Sequence, residues 1–179
     1  MKSIVIYTSK YGSTETYARW IAEALDCPAK KLQDVGSGDL ASYDAIIYGG
    51  GVYASRIAGF KKFLAKLNPA NQKTLILFMV GMTNPEQKEF YHKAAEQNIP
   101  DQWKGKFKVV PLQGDLLYTR MNGLHKLIMR APKAAAEQKK PEERTADDLR
   151  LIENFGSDII FADKAQIKPI LAHFIPSEK

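Results

Sequence analysis

At 179 residues the chain has the size of one domain, long enough to bury a core without disulfides or a structural metal. With 45% hydrophobic and 26% charged residues it has an ordinary globular composition, and no apolar run approaches the roughly 20 residues of a membrane-spanning helix. Cys27 is the only cysteine, which excludes an internal disulfide and a cysteine-based metal site and suits a reducing cytoplasm; the net charge of +6 points to an anionic partner without choosing among nucleic acid, acidic lipid and a carboxylate-bearing substrate.

The first eight residues start like a secretory signal, but their apolar run is too short and no small-residue cleavage site follows, so the pattern predicts a buried strand over Ser3–Thr8. Similar runs predict strands at 44–50, Thr74–Gly81 and 108–112, with a weaker one at 29–32. Helical spacing lies between them at 14–25, 57–67 and 85–97. Alternating strands and helices argue for right-handed crossovers and an α/β fold in three layers: a five-stranded parallel sheet of order 2-1-3-4-5 with helices on both faces. The chain is expected to be one domain over 1–179, with 115–144 an inserted loop and basic helix. Residues 131–144 read as a helical hairpin connection or a mobile loop. Thr145 then caps a final core helix whose stripe is Leu149, Ile152, Phe155, Ile159 and Ile160.

In such a sheet ligands bind beyond the carboxyl ends of the strands where the order reverses, so the loops after the first, third and fourth strands should form the site. The first loop, Ser9, Lys10, Tyr11, Gly12, Ser13 and Thr14, offers hydroxyls, a permissive glycine and a helix N-terminus, the donors a phosphate needs. Ser13 as an ordinary N-cap and Gly12 as an ordinary turn are the plainer alternative. It is neither a Walker A loop, lacking the glycine-lysine-serine end, nor a dinucleotide fingerprint, having one glycine. The second loop carries Gly49, Gly50, Gly51, Val52, Tyr53 and Ala54; its glycines let backbone approach a flat ring, on which Tyr53 can stack. The third, Gly81, Met82, Thr83 and Asn84, would line the ring's far side and enters a helix with Asn84 as cap and Pro85 first.

The run Val5-Ile6-Tyr7, followed by Ser9, Gly12, Thr14, Ala18 and Ile21, resembles the N-terminal signature of the flavodoxin family. The resemblance implies flavin mononucleotide (FMN), with Ser9 to Thr14 around its phosphate and the other two loops around its isoalloxazine. A second resemblance, carried by Gly114-Asp115-Leu116-Leu117-Tyr118-Thr119-Arg120 and by Leu124 to Arg130, is to the flavodoxin-like, quinone-dependent protoporphyrinogen dehydrogenases. It implies oxidation of protoporphyrinogen IX with a quinone as acceptor, in the manner of heme biosynthesis. The flavin would carry the chemistry, so no catalytic side chain is expected; Tyr118 and Arg120 would shape the substrate pocket, with Arg120 against a propionate.

Flavodoxins are as a family strongly acidic shuttles, and a basic chain lacks the steering that such docking uses. Three readings therefore stand: a quinone-linked FMN oxidoreductase, an FMN electron shuttle, and a flavin-free binding module. Nucleic acid is not expected as a partner, because the basic residues lack an interleaved aromatic platform. Met121, Leu124, Leu127, Ile128 and Ala131 recur at helical spacing with Arg120, Lys126, Arg130 and Lys133 nearby; the segment either packs on the sheet or rests on an anionic membrane, so the expected location is the cytoplasm, either free or peripheral on the inner face of the cell membrane. His92, His125 and His173 show no metal-ligand spacing.

Overall fold

The computed structural model describes residues 1–36, 38–68, 70 and 73–174. In chain order its elements are β1 (Ser3–Thr8), α1 (Ser13–Ala24), β2 (Ala29–Lys31), β3 (Ala45–Tyr53), β4 (Arg56–Ile57), α2 (Phe60–Leu64), β5 (Thr74–Gly81), α3 (Lys88–Asn98), β6 (Phe107–Gln113), α4 (Gly123–Ile128), α5 (Arg130–Gln138), α6 (Ala146–Glu153) and α7 (Lys168–Leu171), with short 3-10 turns between. They form two compact units, Met1–Gly114 with Ala162–Lys179, and Asp115–Phe161.

The first unit is a parallel sheet in the order β2-β1-β3-β5-β6, with the two-residue β4 pairing antiparallel onto β3. Setting β4 aside, this is the expected 2-1-3-4-5 order. The strands read as apolar runs because both faces are covered and successive side chains alternate between them. Ile4, Ile6, Ile46, Tyr48, Leu75, Leu77 and Met79 meet Phe60 and Phe63 of α2 and Tyr91 and Ala95 of α3. Val5, Tyr7, Ile47, Ile76, Phe78 and Val80 face the other way, onto Tyr17, Ala18 and Ile21 of α1 and onto Ile167 and Ile170 near the end of the chain.

Three expected boundaries move, each for a local reason. α2 begins at Phe60 rather than Ile57, because 56–57 pair back on β3 and Gly59 (φ 73) turns the chain into the helix. α3 begins at Lys88 rather than Pro85, because the Asn84 side chain accepts the Glu86 N–H at 2.9 Å and holds a turn first. The helix after Thr145 is not the last core helix. Thr145 does cap it, in a reciprocal box with Asp148, but α6 ends at Glu153 and none of its residues is buried. The sheet face is closed instead by the 3-10 turn Lys164–Ile167 and α7.

In the second unit, residues 131–144 take the helical of their two alternatives. α5 packs against α6, and Pro132 sits in the first turn of α5, where its missing N–H costs nothing. Leu116 and Ile159 form an isolated antiparallel bridge, and the Asp115 carboxylate accepts the Phe161 N–H at 2.9 Å, so the two ends of the unit are tied together.

A Cβ on Gly49 would stand 1.9 Å from Cζ of Phe78, whose ring is fully buried. Gly49→Ala should therefore destabilise the protein by about 1–3 kcal/mol. Gly38→Ala, which meets nothing within 4 Å, should change stability by less than about 0.5 kcal/mol; urea unfolding of both variants checks the contrast.

Candidate functional site

β1 and α1 are joined by residues 9–12, and the turn depends on Gly12. Its φ of 114 is a conformation that L side chains rarely adopt, and it caps α1 with no side-chain hydrogen bond. The Ser9 hydroxyl accepts the Gly12 N–H at 3.1 Å and holds the loop closed. The helix N-terminus, with its positive dipole end, thus opens at the carboxyl edge of the sheet without a side chain across it, which fits an anion such as a phosphate. Ser13 and Thr14 are buried beneath the loop, Ser9, Tyr11 and Gly12 are half-buried, and Lys10 is exposed.

The second loop is a hairpin that sequence reading did not find. Val52 pairs with Ile57 and Tyr53 with Arg56 across Ala54 and Ser55, both at positive φ (46 and 61). Such turns normally carry glycine or asparagine, and backbone strain of this kind concentrates at binding loops. Asn98, at the end of α3, clamps it: its Nδ2 donates to the Ser55 carbonyl at 2.6 Å and its Oδ1 accepts from the Ile57 N–H at 3.1 Å. The Tyr48 hydroxyl donates to the Ala58 carbonyl at 2.7 Å and lies 2.8 Å from the Thr8 hydroxyl, tying the same loop to β1.

The glycine run also has a packing role that the sequence did not show. The Cβ position of Gly49 is taken by the Phe78 ring, that of Gly50 by Ile57 and the Ala58 carbonyl, and that of Gly51 by the Tyr53 ring. Protein fills the space left by the missing side chains, so what the loop can offer a ligand is its backbone and the ring of Tyr53. Tyr53 meets Tyr11 edge to face at 6.3 Å, and the Lys10 ammonium lies 5.4 and 5.9 Å from their ring centroids. The first and second loops therefore touch through aromatic groups.

The third loop is held from behind. Gln113 donates to the Met82 carbonyl at 3.2 Å, the Gly114 N–H to the Gly81 carbonyl at 2.7 Å, and the Tyr91 hydroxyl to the Thr83 carbonyl at 2.5 Å. Gln113 is itself fixed by Tyr17 and Gln166. These supports, like Asn98, reach the loops from positions distant in sequence. The only sequence signal at Asn98 is an amide in the last turn of a helix.

A cleft of about 1430 Å³ opens at the same edge, sharing Ser9 and Ala54 with the candidate loops. Its cations are Lys31, Arg56, Lys61, Lys62 and Lys66, and its one carboxylate is Glu15. The Arg19 guanidinium, 2.7 Å away, holds that carboxyl below its ordinary range against an opposing effect of partial burial, with Lys31 adding to the lowering. Tyr118 and Arg120 belong to the second unit, in a 3-10 turn where Thr119 is bound to Asp158; Tyr118 packs edge-on to Phe155 at 5.4 Å, and Arg120 is exposed. Among the described residues no group of three or more His, Cys, Asp and Glu side chains could hold a metal ion.

A family model described as a flavodoxin domain matches residues 4–143. An uncharacterized protein of Methanocaldococcus jannaschii is 30% identical over 101 residues, 55% of this chain and 66% of that protein, so the chain spans just under two thirds of that relative's length. Among solved structures, a Bacteroides uniformis protein assigned as a flavoprotein aligns at a TM-score of 0.50 with 21% identity, over 63% of this chain and 90% of its own. A flavodoxin from the Archaea aligns at 0.45 with 18% identity, over 63% and 83%.

Two expectations follow from the loop supports. Burial first, and then the neighbouring Tyr11, push the Tyr53 hydroxyl up to about 12. An acid whose folded-state pKa is raised contributes stability below its unfolded value of about 10, and that stability is lost as pH rises toward the folded value. Tyr48 and Tyr91 are raised further by burial. Ultraviolet titration should therefore show these three tyrosines ionising only as the protein unfolds in alkali. Asn98→Ala leaves the Ile57 N–H and the Ser55 carbonyl without their partner; stability should fall by about 1–3 kcal/mol, and FMN affinity should fall about tenfold, read by flavin fluorescence quenching.

Proposed function

This chain belongs to the flavodoxin domain family and binds FMN, and from that premise we propose that it is an oxidoreductase of the quinone-linked protoporphyrinogen dehydrogenase kind rather than a simple electron shuttle. FMN supplies the redox chemistry when bound. The protein's part is to bind, orient and shield. The N–H groups at the start of α1, with the hydroxyls of Ser9, Ser13 and Thr14, would take the phosphate, and Lys10 would add charge beside it. Gly50, Gly51, Val52, Tyr53 and Ala54 would lie along one side of the ring, and Gly81, Met82, Thr83 and Asn84 along the other. Tyr53 remains neutral across the physiological range, so its ring presents no charge to the flavin.

One observation supports an enzyme over a carrier. The chain leaves the sheet at Gly114, whose N–H is bonded to Gly81 in the third loop, and builds a whole compact unit over Asp115–Phe161 before returning to close the sheet. Tyr118 and Arg120 stand near the start of that unit. An exposed guanidinium there is suited to a propionate carboxylate, and Tyr118 to the face of a large flat substrate. The basic cleft beside Ser9 also favours an anionic substrate over the basic partners of acidic shuttles.

FMN-loaded protein, mixed anaerobically with protoporphyrinogen IX and a quinone, should produce fluorescent protoporphyrin. Arg120→Ala should raise KM roughly tenfold, about 1–2 kcal/mol of lost carboxylate binding, with little change in kcat. If the loaded protein passes electrons to one-electron acceptors but leaves the porphyrinogen untouched, it is a shuttle.

A further inference from the structure

The helical segment 123–138 of the second unit faces its apolar stripe outward. Leu124 is 65% exposed, and Leu127 and Ile128 are each 57% exposed. They stand at i, i+3 and i+4 on one face of α4, and the exposed Ala131 and Ala135 continue the row along α5. The opposite side carries the residues that pack inward: Met129 and Ala136 are buried, and Lys126 lies over the Tyr118 ring at 5.2 Å. Leu149 and Ile160, also largely exposed, belong to the same unit.

The local charge narrows what suits this face. Between Asp115 and Glu137 the sequence has no acidic residue, while Arg120, Lys126, Arg130 and Lys133 are basic. Lys133 is paired with Glu137 at 2.6 Å and Arg120 lies close enough to Asp158 to lower its carboxyl, whereas Arg130, next in sequence after α4 and Met129, is exposed. A second copy of the chain docked symmetrically here would set these cations against themselves. Leucine and isoleucine on one side with basic residues around them make an interfacial helix, and no helix among the described residues is long and apolar enough to cross a membrane.

We propose that the exposed face of 124–131 adsorbs to an anionic lipid surface, with Leu124, Leu127 and Ile128 entering the headgroup–acyl boundary and Arg120 and Arg130 among the headgroups. The proposal does not depend on the identity of the redox substrate. Each basic residue near such a surface strengthens binding by about fivefold, and added salt weakens that part of the attraction.

The test is flotation of the full FMN-loaded chain with vesicles of phosphatidylcholine alone and of phosphatidylcholine mixed with phosphatidylglycerol. The chain should float with the mixed vesicles and not with the neutral ones. The triple variant Leu124→Ser, Leu127→Ser, Ile128→Ser should lose at least tenfold in affinity, and Arg120→Glu with Arg130→Glu should abolish the preference for anionic lipid. Unchanged far-ultraviolet circular dichroism and an unchanged urea unfolding transition, together with retained FMN fluorescence quenching, show that both variants are folded. In a separate variant, Leu127→Trp, the added emission should shift to the blue on mixed vesicles. No flotation of the native chain, flotation untouched by either set of substitutions, or a dimer in sedimentation that the serine variant converts to monomer would each overturn the proposal.

Discussion

Gly49 and Phe78 share one space, and the edge of the sheet depends on it. β3 can lie flat beneath that ring only because it has no side chain there. The pairing that results sets Thr8 against Gly50 and Gly51 against Val80, so the ends of β1, β3 and β5 finish side by side. The three loops leave from those ends. A Cβ at 49 would move either the ring or the strand, and the loops would no longer start from a common line. Gly50 and Gly51 extend the same constraint outward, letting the hairpin and Tyr53 fold back onto β3.

This explains which parts of the molecule could be read from the sequence. β1 and β5 lie where they were expected because an uninterrupted apolar run, buried on both faces, leaves no ambiguity of type or length. The turn into α1 was legible because glycine beside hydroxyl residues at a helix start has a narrow range of uses. The hairpin at 54–55 was not, since alanine and serine carry no signal for positive φ. Nor was α7, a four-residue helix containing Pro169, which is too short to show a period. The glycine run was noticed but its packing role was not legible: composition reveals that side chains are missing, not that Phe78, Ile57 and Tyr53 occupy the space. Asn98 and Gln113 act across long sequence separations, where no local pattern points to them.

The two units divide the work differently from what periodicity alone suggests. The first holds nearly all of the apolar core and all three candidate cofactor loops. The second is held by a few discrete polar and backbone ties, the Thr145–Asp148 box, the Thr119–Asp158 bonds and the Leu116–Ile159 bridge, and leaves Leu124, Leu127, Ile128 and Ile160 more than half exposed. A stripe at helical spacing says that a face will be covered. In this unit it does not say by what, and the proposal of a lipid surface rests on exposure together with the run of cations.

The most direct measurement is a pair of titrations of the full chain, with FMN and with riboflavin, followed by quenching of flavin fluorescence. If the α1 N-terminus and its loop hold the phosphate while the aromatic loops hold the ring, FMN should saturate the protein at one per chain and riboflavin should bind at least tenfold more weakly. Equal binding of the two would show that the loop at Ser9 to Thr14 does not hold the phosphate, and no quenching by either would contradict the flavin account altogether.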